Sequence, residues 1–250
     1  MFDLSGKVAL ITGASRGIGR STALMMAEAG ADVVVHYNSA HKKALSVQTL
    51  IEGMGRRALC IKAEIARIRE VESMIIRAIE IFGKIDILVN NAGIWKEAAI
   101  ESMTEEQLEE MLSINLKSVF YCCKYAVPIM KKNKWGRIIN ISSTAGQRGE
   151  PFHSHYAATK GAVISFTKSL AVELAPHNIL VNCIAPGWVD TDMSTEALKT
   201  EYDKIISVIP LRRVGKPEEI ASAAVYLAAE ESSFINGEII NINGAAVLCG

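Results

Sequence analysis

Three side chains in this 250-residue chain could together pass a proton to or from a carbonyl: Ser143, Tyr156 and Lys160. Tyr156 and Lys160 stand one helical turn apart, so on a helix they share a face. A free phenol titrates at about 10, too high to exchange protons readily at neutral pH. A nearby ammonium, or another positive charge, stabilises phenolate and lowers that value. The result is an acid for reducing a ketone and a base for the reverse reaction. Taken alone, the pair proves little. Ser143 closes the apolar run Ile138-Ile139-Asn140-Ile141-Ser142-Ser143. At the carboxyl end of a strand its hydroxyl could hold a substrate oxygen and share developing charge.

A second constellation lies near the start of the chain. Gly13, Gly17 and Gly19 fall in the turn Thr12-Gly13-Ala14-Ser15-Arg16-Gly17-Ile18-Gly19, directly after the apolar run Val8 to Ile11. Gly13 permits the tight turn, Gly17 a close approach to phosphate, and Gly19 close packing of helix on strand. The unpaired N–H groups of a helix start would receive a pyrophosphate, with Ser15 and Ile18 beside it. After the second strand, Val35-His36-Tyr37-Asn38-Ser39 holds no carboxylate to accept from an adenine ribose. Arg16 could pair with a 2′-phosphate there, and Asn38 and Ser39 add neutral donors. Arg16 as a plain solvated loop charge is the alternative. Missing acid and added cation together favour NADP(H) over NAD(H). Glu64 and Ile65, after strand three, would sit beside adenine, with the carboxylate accepting from its amino group. Asn90-Asn91-Ala92-Gly93 ends strand four, where Asn91, Ala92 and Gly93 could border a cofactor. The same amides would equally stabilise a sheet-end turn.

The elements that must position these residues alternate regularly. Val8 to Ile11, Val33 to Val35, Ala58 to Ile61, Ile87 to Val89, Arg137 to Ile141, Leu180 to Ile184 and Glu238 to Ile242 read as strands. Their unbroken apolarity marks strands covered on both faces, as in a parallel sheet. Helical patterns run over Gly17 to Ala29, Lys42 to Met54, Glu70 to Phe82, Thr104 to Met130, Tyr156 to Leu174 and Pro217 to Ala229. Thr104 opens a capping box and Pro217 suits a first helical turn. The pattern predicts one α/β domain with a doubly wound, seven-stranded parallel sheet flanked by helices on both faces. The least regular stretch, about 188 to 215, is the candidate for a mobile segment over the site.

Bulk properties narrow the function classes. The 27 basic and 27 acidic residues balance, which argues against a nucleic-acid surface. No apolar stretch reaches the roughly 18 residues of a membrane span. The five cysteines show no two-residue spacing and no His cluster, so reduced thiols are expected rather than disulfides or a metal site. Met103, Met111, Met130, Cys122 and Cys123 are read as packing residues. With no signal-like start, the reading is a cytoplasmic protein.

The Thr12–Gly19 turn, Asn90-Asn91-Ala92-Gly93, Asn115, Ser143 with Tyr156-Ala157-Ala158-Thr159-Lys160, and Pro186-Gly187 with Thr191 occur in this order along the chain. In these motifs the chain resembles the short-chain dehydrogenase/reductase family over nearly its whole length. Within it the chain is most similar to the 3-oxoacyl-acyl-carrier-protein reductase type of fatty acid biosynthesis. The resemblance implies that Tyr156 is the general acid/base and Ser143 orients the carbonyl. Lys160 would bind the nicotinamide ribose, and Asn115 would hold a water that links Lys160 to solvent. From the residues alone, Asn115 could equally be a polar kink in a long helix. Pro186, Gly187, Val189 and Thr191 would contact the nicotinamide end. A small carbonyl substrate, borne on acyl carrier protein or coenzyme A, and a homotetramer are likewise implied. Lys131, Lys132, Lys134 and Arg137 could receive an acidic carrier, or form a solvated helix end. A sugar or cyclic-alcohol dehydrogenase shares these motifs, and a non-catalytic dinucleotide sensor is the reading from another class. Two departures stand out: Gly244-Ala245 where a glycine pair is usual, and Glu64 where Asp is commoner.

Overall fold

A computed structural model describes residues 2 to 249. Its strands are β1 (Val8–Ile11), β2 (Asp32–Tyr37), β3 (Ala58–Lys62), β4 (Ile87–Asn90), β5 (Gly136–Ile141), β6 (Ile179–Pro186) and β7 (Ile239–Ile242). They form one sheet in the order β3-β2-β1-β4-β5-β6-β7, with every neighbouring pair parallel. The order reverses between β1 and β4, which leaves a crevice at their carboxyl ends.

Ten helices cover the sheet among the described residues: α1 (Gly17–Glu28), α2 (His41–Gly53), α3 (Ile68–Phe82), α4 (Glu105–Leu112), α5 (Ser118–Asn133), α6 (Ala145–Arg148), α7 (Ser154–Leu174), α8 (Thr195–Thr200), α9 (Tyr202–Ser207) and α10 (Pro217–Ala228). Successive residues of β1 separate cleanly between two cores. Ala9 and Ile11 pack with Met26, Val47 and Ala224 of α1, α2 and α10. Val8 and Leu10 pack with Met74, Cys122 and Val163 of α3, α5 and α7. All four are buried, the signature of a strand covered on both sides. The single doubly wound domain expected from the alternating pattern is therefore observed.

The expected helix from Thr104 to Met130 is interrupted. Thr104 does cap α4 through a complete box with Gln107. Ser113–Lys117 then forms a π turn before the chain re-enters α5. Asn115 explains the break: its Oδ1 accepts from Ile94 N and its Nδ2 donates to Ile94 O, both at 2.8 Å. A π turn is a common device where a helix must present one residue to a neighbour. Residues 188 to 215 are less irregular than expected, since they contain α8 and α9.

Candidate active site

The glycine turn is fixed by contacts on three sides. Gly13 has φ +67°, which a side chain would strain. A Cβ on Gly19 would stand 2.3 Å from the Gly13 carbonyl oxygen, so α1 packs against the turn only because none is there. Arg16 caps α1 with extended backbone and no side-chain bond, which leaves the first N–H groups turned toward the crevice. Thr12 Oγ1 accepts from Asn91 N and Ala92 N, both at 2.9 Å, while Asn91 Nδ2 donates to Thr12 O at 2.8 Å. Asn91 thus staples the end of β4 to the turn. His36, given no role in the sequence reading, completes the clamp. Its Nδ1 accepts from Gly13 N at 3.0 Å, and its Nε2 bonds Ala63 O at 3.0 Å. A carbonyl only accepts, so the proton sits on Nε2 and the ring is neutral. Burial, the main cause, lowers its pKa.

A cleft of about 540 Å³ runs from this turn to Tyr156. It is lined by Gly13, Ser15, Arg16, Gly17, Ile18, Asn38, Ser39, Glu64, Ile65, Asn91, Ala92, Gly93, Ser143, Tyr156, Lys160, Pro186, Gly187, Val189 and Thr191. Gly19 and Asn115 stand behind that surface as supports. Asn38 Nδ2 donates to Glu64 Oε2 at 2.9 Å, which joins the ends of β2 and β3. At the mouth, Asp192 is 3.7 Å from Arg16 and 2.6 Å from Lys43 of α2. Lys43 is a second cation that the sequence reading missed. Its position at the start of α2, just past the end of β2, was the available signal.

At the other end, β5 delivers Ser143 and α7 delivers Tyr156 and Lys160. Ser142 Oγ donates to Lys160 O at 2.8 Å, and Lys160 Nζ donates to Ile141 O at 2.8 Å. These bonds tie the helix to the strand end. Lys160 Nζ is 5.8 Å from the centre of the Tyr156 ring. Gly93 lies between them and Asn115; a Cβ there would meet Asn115 Oδ1 at 3.2 Å and Lys160 Nζ at 3.6 Å.

Electrostatics depart from the expectation of a lowered phenol. Burial first, with a contribution from Glu150, pushes Tyr156 up to about 12, against a lowering by the Ser143 hydroxyl. Burial pushes Lys160 down to about 8. With both groups out of water, the cost of carrying charge is the largest cause of both shifts.

Arg137 is corrected as a docking residue. It is 1% exposed, with its guanidinium 3.2 Å from Glu230 and stacked 4.4 Å over Trp135. Lys132 and Lys134 do reach solvent. Among the described residues no cluster could hold a metal ion, and no helix is long and apolar enough to cross a membrane.

A family profile described as Enoyl-(Acyl carrier protein) reductase matches residues 13–245. The chain belongs to the short-chain dehydrogenase/reductase family. It is similar to the 3-oxoacyl-[acyl-carrier-protein] reductase FabG of Staphylococcus aureus, with 43% identity over 95% of this chain and 97% of the relative. The Synechocystis 3-oxoacyl-[acyl-carrier-protein] reductase is 42% identical over 99% of this chain and all of its own length. The Thermotoga maritima FabG protein is 39% identical, over 98% and 99%. Among solved structures, a Sinorhizobium meliloti protein assigned as a short-chain alcohol dehydrogenase superposes with TM-score 0.94 at 38% identity, covering 98% of each chain. As a short-chain dehydrogenase/reductase, the protein is an oxidoreductase acting on CH–OH or C=O groups.

Proposed function

We propose that the protein reduces a 3-oxoacyl thioester to the 3-hydroxyacyl form with NADPH. The observation that carries this reading is the convergence of Ser143, Tyr156 and Lys160 at one end of the cleft whose other end is the glycine turn. Identity of about 40% to three 3-oxoacyl-[acyl-carrier-protein] reductases supports the thioester. NADPH fits the residues present. Arg16 and Lys43 converge on a single carboxylate, Asp192, so the mouth of the cleft already accommodates negative charge between two cations. The absence of an acid at the end of β2 agrees.

When bound, NADPH supplies the hydride. The chain's residues do the rest. Ser143 Oγ accepts from Ala145 N at 3.1 Å, which leaves its proton to be donated, to the Tyr156 oxygen or to a substrate oxygen beside it. Tyr156 gives its proton to that oxygen as negative charge grows on it. A phenol near about 12 still gives up a proton readily to an alkoxide, whose conjugate acid is weaker. Lys160 holds the nicotinamide ribose and lends positive charge beside the phenolate. Both ends of the Asn115 side chain are engaged with Ile94. In this reading the relay water would rest on the Asn115 main-chain carbonyl, within the π turn. Residues 188 to 215 act as a flap over the nicotinamide end, anchored by Asp192. Four copies assemble through α5 and α7, where the Phe120 and Phe166 rings pack tilted at 44° with centroids 4.3 Å apart and Val172 is 78% exposed. The work is done in the cytoplasm on an acyl group borne by acyl carrier protein or coenzyme A. Oxidation of an alcohol is the second reading, supported by the Sinorhizobium neighbour.

Initial rates with acetoacetyl thioesters and simple ketones, each with NADPH and NADH, and with sugars, each with NADP+ and NAD+, test the reading. Preference for thioester with NADPH is expected. Preference for a sugar with either oxidised cofactor contradicts it. Arg16→Ala should weaken NADPH much more than NADH, by about tenfold or more for a lost charge-assisted bond. Equal losses would overturn the cofactor assignment.

A further inference from the structure

Past Ser143 and Tyr156 the cleft ends in an aromatic wall assembled from three loops. Trp95 follows β4, Glu150 and His153 lie between α6 and α7, and Trp188 follows β6. The Trp95 indole lies flat on the His153 ring, with centroids 4.4 Å apart and planes 2° from parallel. Its Nε1 donates to Glu150 Oε2 at 3.3 Å. Trp188 meets it edge-on, 5.7 Å away at 83°. His153 is itself buried, and its Nδ1 donates to Pro151 O at 3.0 Å. Stacking, hydrogen bond and edge contact act in different directions. Trp95 therefore cannot swing aside without losing at least one of them.

Trp95, Glu150 and Trp188 line the same cleft as Ser143 and Tyr156, with apolar Ile94, Ile114 and Met193 beside them. A flexible side chain at this place would yield to a larger substrate, whereas a braced indole holds its position. An apolar pocket with fixed walls separates chains that differ by a methylene by about tenfold or more. We propose that Trp95 and Trp188 are specificity-determining residues that limit the group on the far side of the reacting carbonyl to a short acyl chain. The proposal names the substrate class within the carbonyl-reductase reading and rests on it.

The test compares kcat/KM for acetoacetyl and 3-oxooctanoyl thioesters of N-acetylcysteamine, and for ethyl acetoacetate and ethyl 3-oxooctanoate. Wild type, Trp95→Ala, Trp95→Leu and Trp188→Ala are measured, with melting temperature and NADPH binding followed in each. Wild type should prefer the short member of each pair at least tenfold. Truncation should shift the long-to-short ratio by tenfold or more, chiefly through KM of the long substrate. Should Trp95→Ala not fold, Trp95→Leu and Trp188→Ala carry the comparison. A ratio unchanged within twofold in every folded variant overturns the proposal, as does a wild type that takes both lengths equally. Reduction of esters but of no thioester would sink the thioester reading while the ester pair still tests the wall. Failure on both series would overturn the two together.

Discussion

Lys160 and Tyr156 stand one turn apart on α7, both removed from water, and burial drives their pKa values apart, the phenol upward and the ammonium downward. Lys160 titrates at about 8 in the folded chain against 10.5 free. A lysine whose folded pKa is depressed binds its proton less tightly than in the unfolded chain. It therefore lowers stability wherever both states are protonated, below about pH 8. That penalty fades as pH rises from 8 toward 10.5, as the unfolded chain loses its proton too. Lys160→Met should consequently be more stable than wild type at pH 7, by about 1–3 kcal/mol after the lost bond to Ile141 O is counted, and melt higher. The gap should close by pH 10, and turnover should fall throughout. A variant that melts lower at pH 7 would show that Lys160 is not held charged at a cost. Function and stability would then not be opposed at this residue.

Elements matter here through how closely they approach. α1 reaches the sheet only because Gly19 has no Cβ; one added there would stand 2.3 Å from a backbone oxygen. Gly19→Ala should destabilise by about 1–3 kcal/mol and cost tenfold or more in NADPH affinity. Gly53, at the end of α2, has nothing within 4 Å of an added Cβ. Gly53→Ala should be neutral or stabilising by up to about 1 kcal/mol. Thermal melts and cofactor titrations of the pair check both signs. These two glycines differ only in surroundings, which explains what was legible. Strand runs and helix faces are local patterns, so β1 and α7 lay within two residues of where periodicity put them. A kink at Asn115 was one of two open readings of that residue; its form as a π turn was hidden, because its cause is the backbone of Ile94, 21 residues away. His36 and Trp95 were missed for the same reason, since their partners come from other loops. A signal did exist for the tryptophans. Each follows a glycine motif at the carboxyl end of a strand, Gly93 before Trp95 and Gly187 before Trp188.

Over the whole molecule, the cleft follows from topology: strand order reverses between β1 and β4, and strand carboxyl ends with the loops after them supply most of the lining, while α7 adds Tyr156 and Lys160. The outer faces of α5 and α7 carry apolar surface that one copy leaves in water, Phe120 and Val172 among it. Light scattering should give a tetramer for wild type and smaller species for Phe166→Asp; unaltered mass in the variant would place the assembly surface elsewhere. The account depends most on Tyr156 as the proton donor. The direct measurement is single-turnover reduction of acetoacetyl thioester by Tyr156→Phe, with NADPH affinity measured in parallel. The rate should fall by about 10²–10⁴ while NADPH binds within about threefold of wild type. A variant that reduces the thioester at near the wild-type rate, with cofactor bound, would contradict it.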